Sequence, residues 1–111
     1  TGIRDYIHVM DLAEGHLLAL NHLMKNSPQI LTINLGTGKG TSVLELINIF
    51  QKVNNVVVPF SFADRRPGDN AIVVADNTLA KNILNWLPRR NIEEICRDGW
   101  NWQLKNPDGY R

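Results

Sequence analysis

Val43, Leu46, Ile47, Phe50 and Val53 recur at steps of three and four, directly behind Ser42 and with Glu45 three residues after that serine. Apolar residues at that period line one face of an α-helix. Ser-x-x-Glu supplies the reciprocal hydrogen bonds that start one. A helix is therefore predicted from residue 43 to about residue 53, and it orders its surroundings. The apolar run Ile30 to Leu35 precedes it as a buried strand, joined to it by the turn Gly36-Thr37-Gly38-Lys39-Gly40. Val56 to Phe62 follows as a second strand, with Pro59 marking an edge or a bulge.

The same reading extends to both ends. Tyr6 to Val9 favours a strand. Asp11 with Glu14 then reads as a second capping box, and Met10, Ala13, Leu17, Leu20 and Met24 form one apolar helical face that stops at Asn26-Ser27-Pro28. Ala71 to Val74 is short and apolar. Asp76 or Asn77 caps a brief helix through Leu84, Pro88 interrupts the chain, and Asn91 caps a last helix. Ile92, Ile95, Cys96, Trp100 and Leu104 give that helix its inner side, and Asn106-Pro107-Asp108-Gly109 ends it. Strand, helix, strand in alternation is an α/β order.

The 111 residues fit one domain, with hydrophobic residues at 43% and charged residues at 21%. A net charge of +1 with no basic stripe argues against a nucleic-acid partner. No apolar stretch reaches the ~20 residues that cross a membrane. One cysteine, Cys96, excludes an internal disulfide framework and suits a reducing cytoplasm. The opening Thr1-Gly2, without Met or a signal peptide, is expected of a piece of a longer chain.

Two stretches invite a phosphate. "NLGTGKGTS" opens a helix, where anions are favoured. Its Gly-x-Gly-x-Gly spacing, however, matches neither a P-loop nor a dinucleotide fingerprint, so a tight turn is the expectation. "DRRPGD", residues 64 to 69, puts two arginines before a Pro-Gly turn and a carboxylate after it. Arginine forks suit phosphate oxygens. Arg4 and Arg66, each in a loop beside an apolar strand, could clamp a diphosphate, and Asp69 could accept from sugar hydroxyls. On residue types alone, a solvated turn with exposed ion pairs is the simpler account.

"TGIRDYIHVMDLAEGH", "INLGTGKGTSVLELI", "RRPGD", Ala75-Asp76 and "WNWQLKNPDGY" occur in that order. Together they resemble the C-terminal part of the UDP-glucose 4-epimerases, in the extended short-chain dehydrogenase/reductase family, over essentially the whole chain. The resemblance implies an α/β fold in which residues 1–111 form a C-terminal UDP-sugar-binding domain, the Rossmann NAD-binding part being absent. It implies an enzyme that, complete, interconverts UDP-glucose and UDP-galactose. NAD, bound by the missing N-terminal part, takes a hydride from C4, and the 4-ketose rotates before the hydride returns. Arg4 and Arg66 then match residues on the UDP diphosphate, and Asp69 one that holds the ribose. Val73 matches a position lining the sugar pocket, where a small side chain admits UDP-N-acetylhexosamines. Arg65 matches no ligand role. The resemblance also implies a homodimer.

The family's catalytic Tyr-x-x-x-Lys is not in these residues: neither Tyr6 nor Tyr110 has Lys four residues on. The 111 residues alone are expected to be inactive, and to fold marginally or self-associate through the uncovered Met10–Met24 face. His16 and His22, six apart, are off the i, i+4 spacing of a helical metal site, and His8 is expected to orient the loop after Arg4. Trp86, Trp100 and Trp102 read as packing residues. Two other readings fit the scaffold: a nucleotide-sugar dehydratase or uronate epimerase, and a non-catalytic binding module.

Overall fold

The structure, a computed structural model, describes residues 1–110. In chain order the elements are β1 (Ile3–Arg4), α1 (Val9–Lys25), β2 (Thr41–Ser42), α2 (Val43–Asn54), β3 (Ile72–Val73), α3 (Thr78–Leu84) and α4 (Ile92–Lys105). The order is α/β, but the sheet is small: three two-residue strands with β1 in the middle. β1 pairs antiparallel with β2 (Ile3 opposite Ser42) and parallel with β3 (Ile3 opposite Ile72, Arg4 opposite Val73).

The predicted α2 and α4 form as their caps dictate. Ser42 Oγ accepts from the Glu45 N–H at 3.2 Å and Glu45 Oε2 accepts from the Ser42 N–H at 2.7 Å. Asn91 Oδ1 accepts from the Glu94 N–H at 2.9 Å. The two helices pack together, with Phe50 edge-on to Trp100 at 5.7 Å between ring centres and Cys96 buried between them. Burial, and secondarily the Glu93 carboxylate, pushes the Cys96 thiol above its ordinary pKa, which leaves it a poor nucleophile.

The other two predicted helices also form, α1 stopping at its C-cap Asn26 and α3 running from behind Asn77 to Leu84, whereas the cap of α1 and most of the strands depart from the sequence reading. Residues 6–8 are not a strand; the first strand lies earlier, at Ile3–Arg4. Asp11 does not cap α1. His8 does, its Nδ1 accepting from the Met10 N–H at 3.0 Å. That bond places the ring proton on Nε2, which donates to Asp98 at 2.8 Å and ties the start of α1 to α4. Neither 30–35 nor 56–62 forms a strand. A strand exists only by pairing, and β1 already has a neighbour on each side. Within 32–35 the strand period survives as alternation: Thr32 and Asn34 face out, while Ile33 and Leu35 lean on the core.

That core is Ala80, Leu84 and Trp86, with Ile7, Leu18, Ala19, Ile33, Leu35 and Ile83 packed around it. α1 meets it through Asp11, Gly15, Leu18 and Ala19, not through the Met10–Met24 stripe, which stays exposed. Gly15 is required by contact: a Cβ there would lie 2.6 Å from Leu35 Cδ1 and 3.2 Å from Trp86 Nε1. The chain exposes 8453 Å², roughly 2,200 Å² more than the surface relation for monomers gives at its mass. Its radius of gyration is 16.7 Å, against about 13 Å for a compact chain of this length.

Candidate functional site

The Arg66-Pro67-Gly68-Asp69 stretch folds into a β-turn closed by the Asp69 N–H donating to Arg66 O at 3.2 Å. Proline at the second position and glycine at the third, with φ +78°, are what a type II turn requires. The turn brings residues 66 and 69 to the same side, so that Arg66 Nη2 lies 3.4 Å from Asp69 Oδ2. The other oxygen, Oδ1, accepts from Arg4 Nη2 at 2.6 Å across 65 positions of sequence. Arg4 is aimed by β1 and by its own Nη1, which donates to Ile3 O at 2.8 Å. Arg4, Arg66 and Asp69 are thus one cluster, with Asp69 between two guanidinium groups. Arg4 and Asp69 are about one-third exposed, whereas Arg66 at 84% is nearly free.

Two hollows adjoin this cluster. One, about 560 Å³, is lined by Thr1, Gly2, Phe62, Arg65, Arg66 and Asp69 among others. The second, about 630 Å³, is lined by Arg4, Asp5, His16, Asn34, Val73 and Val74 among others. The Arg4–Asp69 pair bridges them. Val73 sits opposite Arg4 in the sheet and lines the second hollow, half exposed. Arg65 lines the first, and among the described residues its side chain has no hydrogen-bond or ion-pair partner.

Sequence reasoning missed Asp5. Its Oδ1 accepts from the Thr37 N–H at 2.9 Å and the Thr37 hydroxyl at 2.5 Å. Its Oδ2 accepts from the N–H groups of Gly38 at 2.9 Å and Ala75 at 3.3 Å. The glycine turn is therefore clasped from inside by a carboxylate, beside the end of β3. Backbone N–H groups that might cradle an anion are committed, and a phosphate there would face Asp5. This turn does not fit the pyrophosphate of a dinucleotide. The only local hint of the clasp was an acid next to Arg4.

Asp11 was read as a cap and is instead a fully buried anchor. Oδ2 accepts from the N–H groups of Arg89 and Arg90 at 3.1 and 3.0 Å, Oδ1 from Arg90 Nη1 at 2.6 Å, and its backbone carbonyl from Trp86 Nε1 at 2.9 Å. The bond to Asp11, chiefly, holds the Arg90 guanidinium above its ordinary pKa. Among the described residues no group of three or more His, Cys, Asp or Glu side chains is placed to hold a metal ion. No described helix is long and apolar enough to cross a membrane.

The profile of the GDP-mannose 4,6 dehydratase family matches residues 1–99. A curated UDP-glucose 4-epimerase of Bacillus subtilis is 53% identical over the whole chain, which spans 32% of that protein. Among solved structures, the Bifidobacterium longum UDP-glucose 4-epimerase in complex with NAD+ and UDP is 42% identical at a TM-score of 0.91, over 99% of this chain and 32% of its own. The Stenotrophomonas maltophila enzyme with NAD and a formylated UDP-arabinopyranose is 48% identical at 0.90, over 96% and 32%. The chain thus spans about a third of the relatives it matches. These matches correct two expectations. The chain was expected to be a C-terminal substrate-binding part set apart from the Rossmann NAD-binding part, with NAD held only by residues missing from it. Nearly all of it instead falls in one continuous family match and inside chains that carry NAD, so neither the separate C-terminal placement nor the outside location of the cofactor site is kept.

Proposed function

The chain belongs to the GDP-mannose 4,6 dehydratase family, and we propose that within it the intact protein is a UDP-glucose 4-epimerase that interconverts UDP-glucose and UDP-galactose. NAD, which two of its solved relatives contain, would supply the redox chemistry. The residues described here bind and orient the substrate. Arg4 and Arg66 take the diphosphate, Asp69 takes the ribose hydroxyls, and Val73 lines the sugar side. The observation that carries this reading is the convergence of Arg4 and Arg66, 62 positions apart in sequence, on the single carboxylate of Asp69. Two guanidinium forks that close together match two linked phosphates, and an acid beside them matches the hydroxyls of an attached sugar. The identity of about half to proteins named as epimerases favours this over the dehydratase and uronate-epimerase alternatives.

Titration of the intact protein with UDP tests it. Arg4→Ala is expected to weaken UDP binding by roughly 10- to 100-fold, the scale of one charge-assisted contact; unchanged binding would remove the reading. For the sugar side, Val73→Tyr is expected to slow turnover of UDP-N-acetylglucosamine at least tenfold more than that of UDP-glucose, because the larger ring fills the space of the acetyl group. Equal losses on both would dissociate Val73 from substrate choice. The homodimer implied by the resemblance is kept within this proposal.

A further inference from the structure

We propose that Asp69 is a specificity-determining residue, acting as an internal counter-ion that screens the arginine pair against bare phosphates and diphosphates. The inference rests on the nucleoside-diphosphate reading above and goes beyond it, because it assigns Asp69 a role against the wrong ligands as well as toward the right one.

The geometry is that of an anion already in place. Each oxygen of Asp69 faces a different guanidinium, at 2.6 Å from Arg4 and 3.4 Å from Arg66. The carboxylate's position along the backbone is fixed by the turn, through the Asp69 N–H to Arg66 O bond. Its escape is therefore a side-chain rotation, with no need to remodel the loop. Arg4 is pinned by Ile3 O, while Arg66 is exposed enough to follow a ligand. A bare diphosphate that takes the two forks must push Asp69 off Arg4 and leave it beside a second, larger anion with no donor. A nucleoside diphosphate makes the same displacement but presents ribose hydroxyls, which donate to the displaced carboxylate. The same acid thus opposes one ligand and is compensated by the other, which is discrimination by an unfavourable contact with the competitor. The pair is about one-third exposed, and pairs so placed are weak enough to exchange.

The intact protein is titrated calorimetrically, in magnesium-free buffer, with UDP and with inorganic diphosphate. Asp69→Asn keeps the size of the side chain and removes its charge. It is expected to tighten diphosphate binding about tenfold, the scale of one screened charge contact near a surface, and to lower the preference for UDP over diphosphate by at least that factor. Asp69→Ser, which still suits a turn, is expected to do the same and guards against a folding defect peculiar to the first variant. Diphosphate binding that is unchanged or weaker in both variants overturns the inference. Arg4→Ala separates the two claims. If it weakens UDP binding while neither Asp69 variant tightens diphosphate, only the screening role falls. If it leaves UDP binding intact, the nucleoside-diphosphate reading falls and takes the screening role with it.

Discussion

Two aspartate–arginine contacts among the described residues share the same short distance, and burial gives them opposite character. Asp11 and Arg90 meet at 2.6 Å, as do Asp69 and Arg4. Asp11 is wholly buried, and its oxygens also hold two backbone N–H groups, so the pair cannot separate without leaving a charge and several donors unmatched. Asp69 keeps about a third of its side-chain surface in water and sits in a turn that closes through backbone groups, without its carboxylate. One contact fastens the chain that leads into α4 onto α1; the other is exchangeable. Short distance therefore says little about an ion pair's role until the surroundings are counted.

The largest expected effect breaks that comparison on the buried side. Asp11→Ala strands the Arg89 and Arg90 N–H groups and the Arg90 guanidinium, and should destabilise the protein by about 3–5 kcal/mol, measured by chemical denaturation. A loss below about 1 kcal/mol would mean that the two pairs do not differ as described. Gly15→Ala comes next. Its Cβ would press on Leu35 and Trp86, costing about 1–3 kcal/mol through overpacking; a neutral result would show that the Leu35 methyls swing aside and that alanine's helix preference offsets the remainder. Asp69→Ala is the smallest, within about 1 kcal/mol, though its contact is as short as that of Asp11. A loss as large as that of Asp11→Ala would erase the distinction.

What the sequence disclosed follows from how far each signal reaches. The Ser42–Glu45 and Asn91 caps are local, so three residues sufficed to place α2 and α4. The turn at Pro67-Gly68 is local too, and with it the approach of Arg66 to Asp69. Arg4 entered the cluster by chemical analogy and family resemblance, and the structure puts it there. Asp11 was misread because a helix-start acid followed by Glu14 looks like a cap, while its true partners lie 78 and 79 positions away. Asp5 was missed for the same reason, since its acceptors serve residues 37, 38 and 75. Residues 30–35 and 56–62 carry strand composition, but composition cannot supply a neighbouring strand, and among the described residues none pairs with them.

Pro67 and Gly68 have a quieter consequence. Proline fixes one backbone angle of the turn, and glycine alone enters the other without strain. The bend that sets Arg66 beside Asp69 is thus largely formed before any anion arrives, and less freedom is lost when one is held. Stiffening or slackening those two positions should alter how firmly the loop grips, although neither side chain carries a charge.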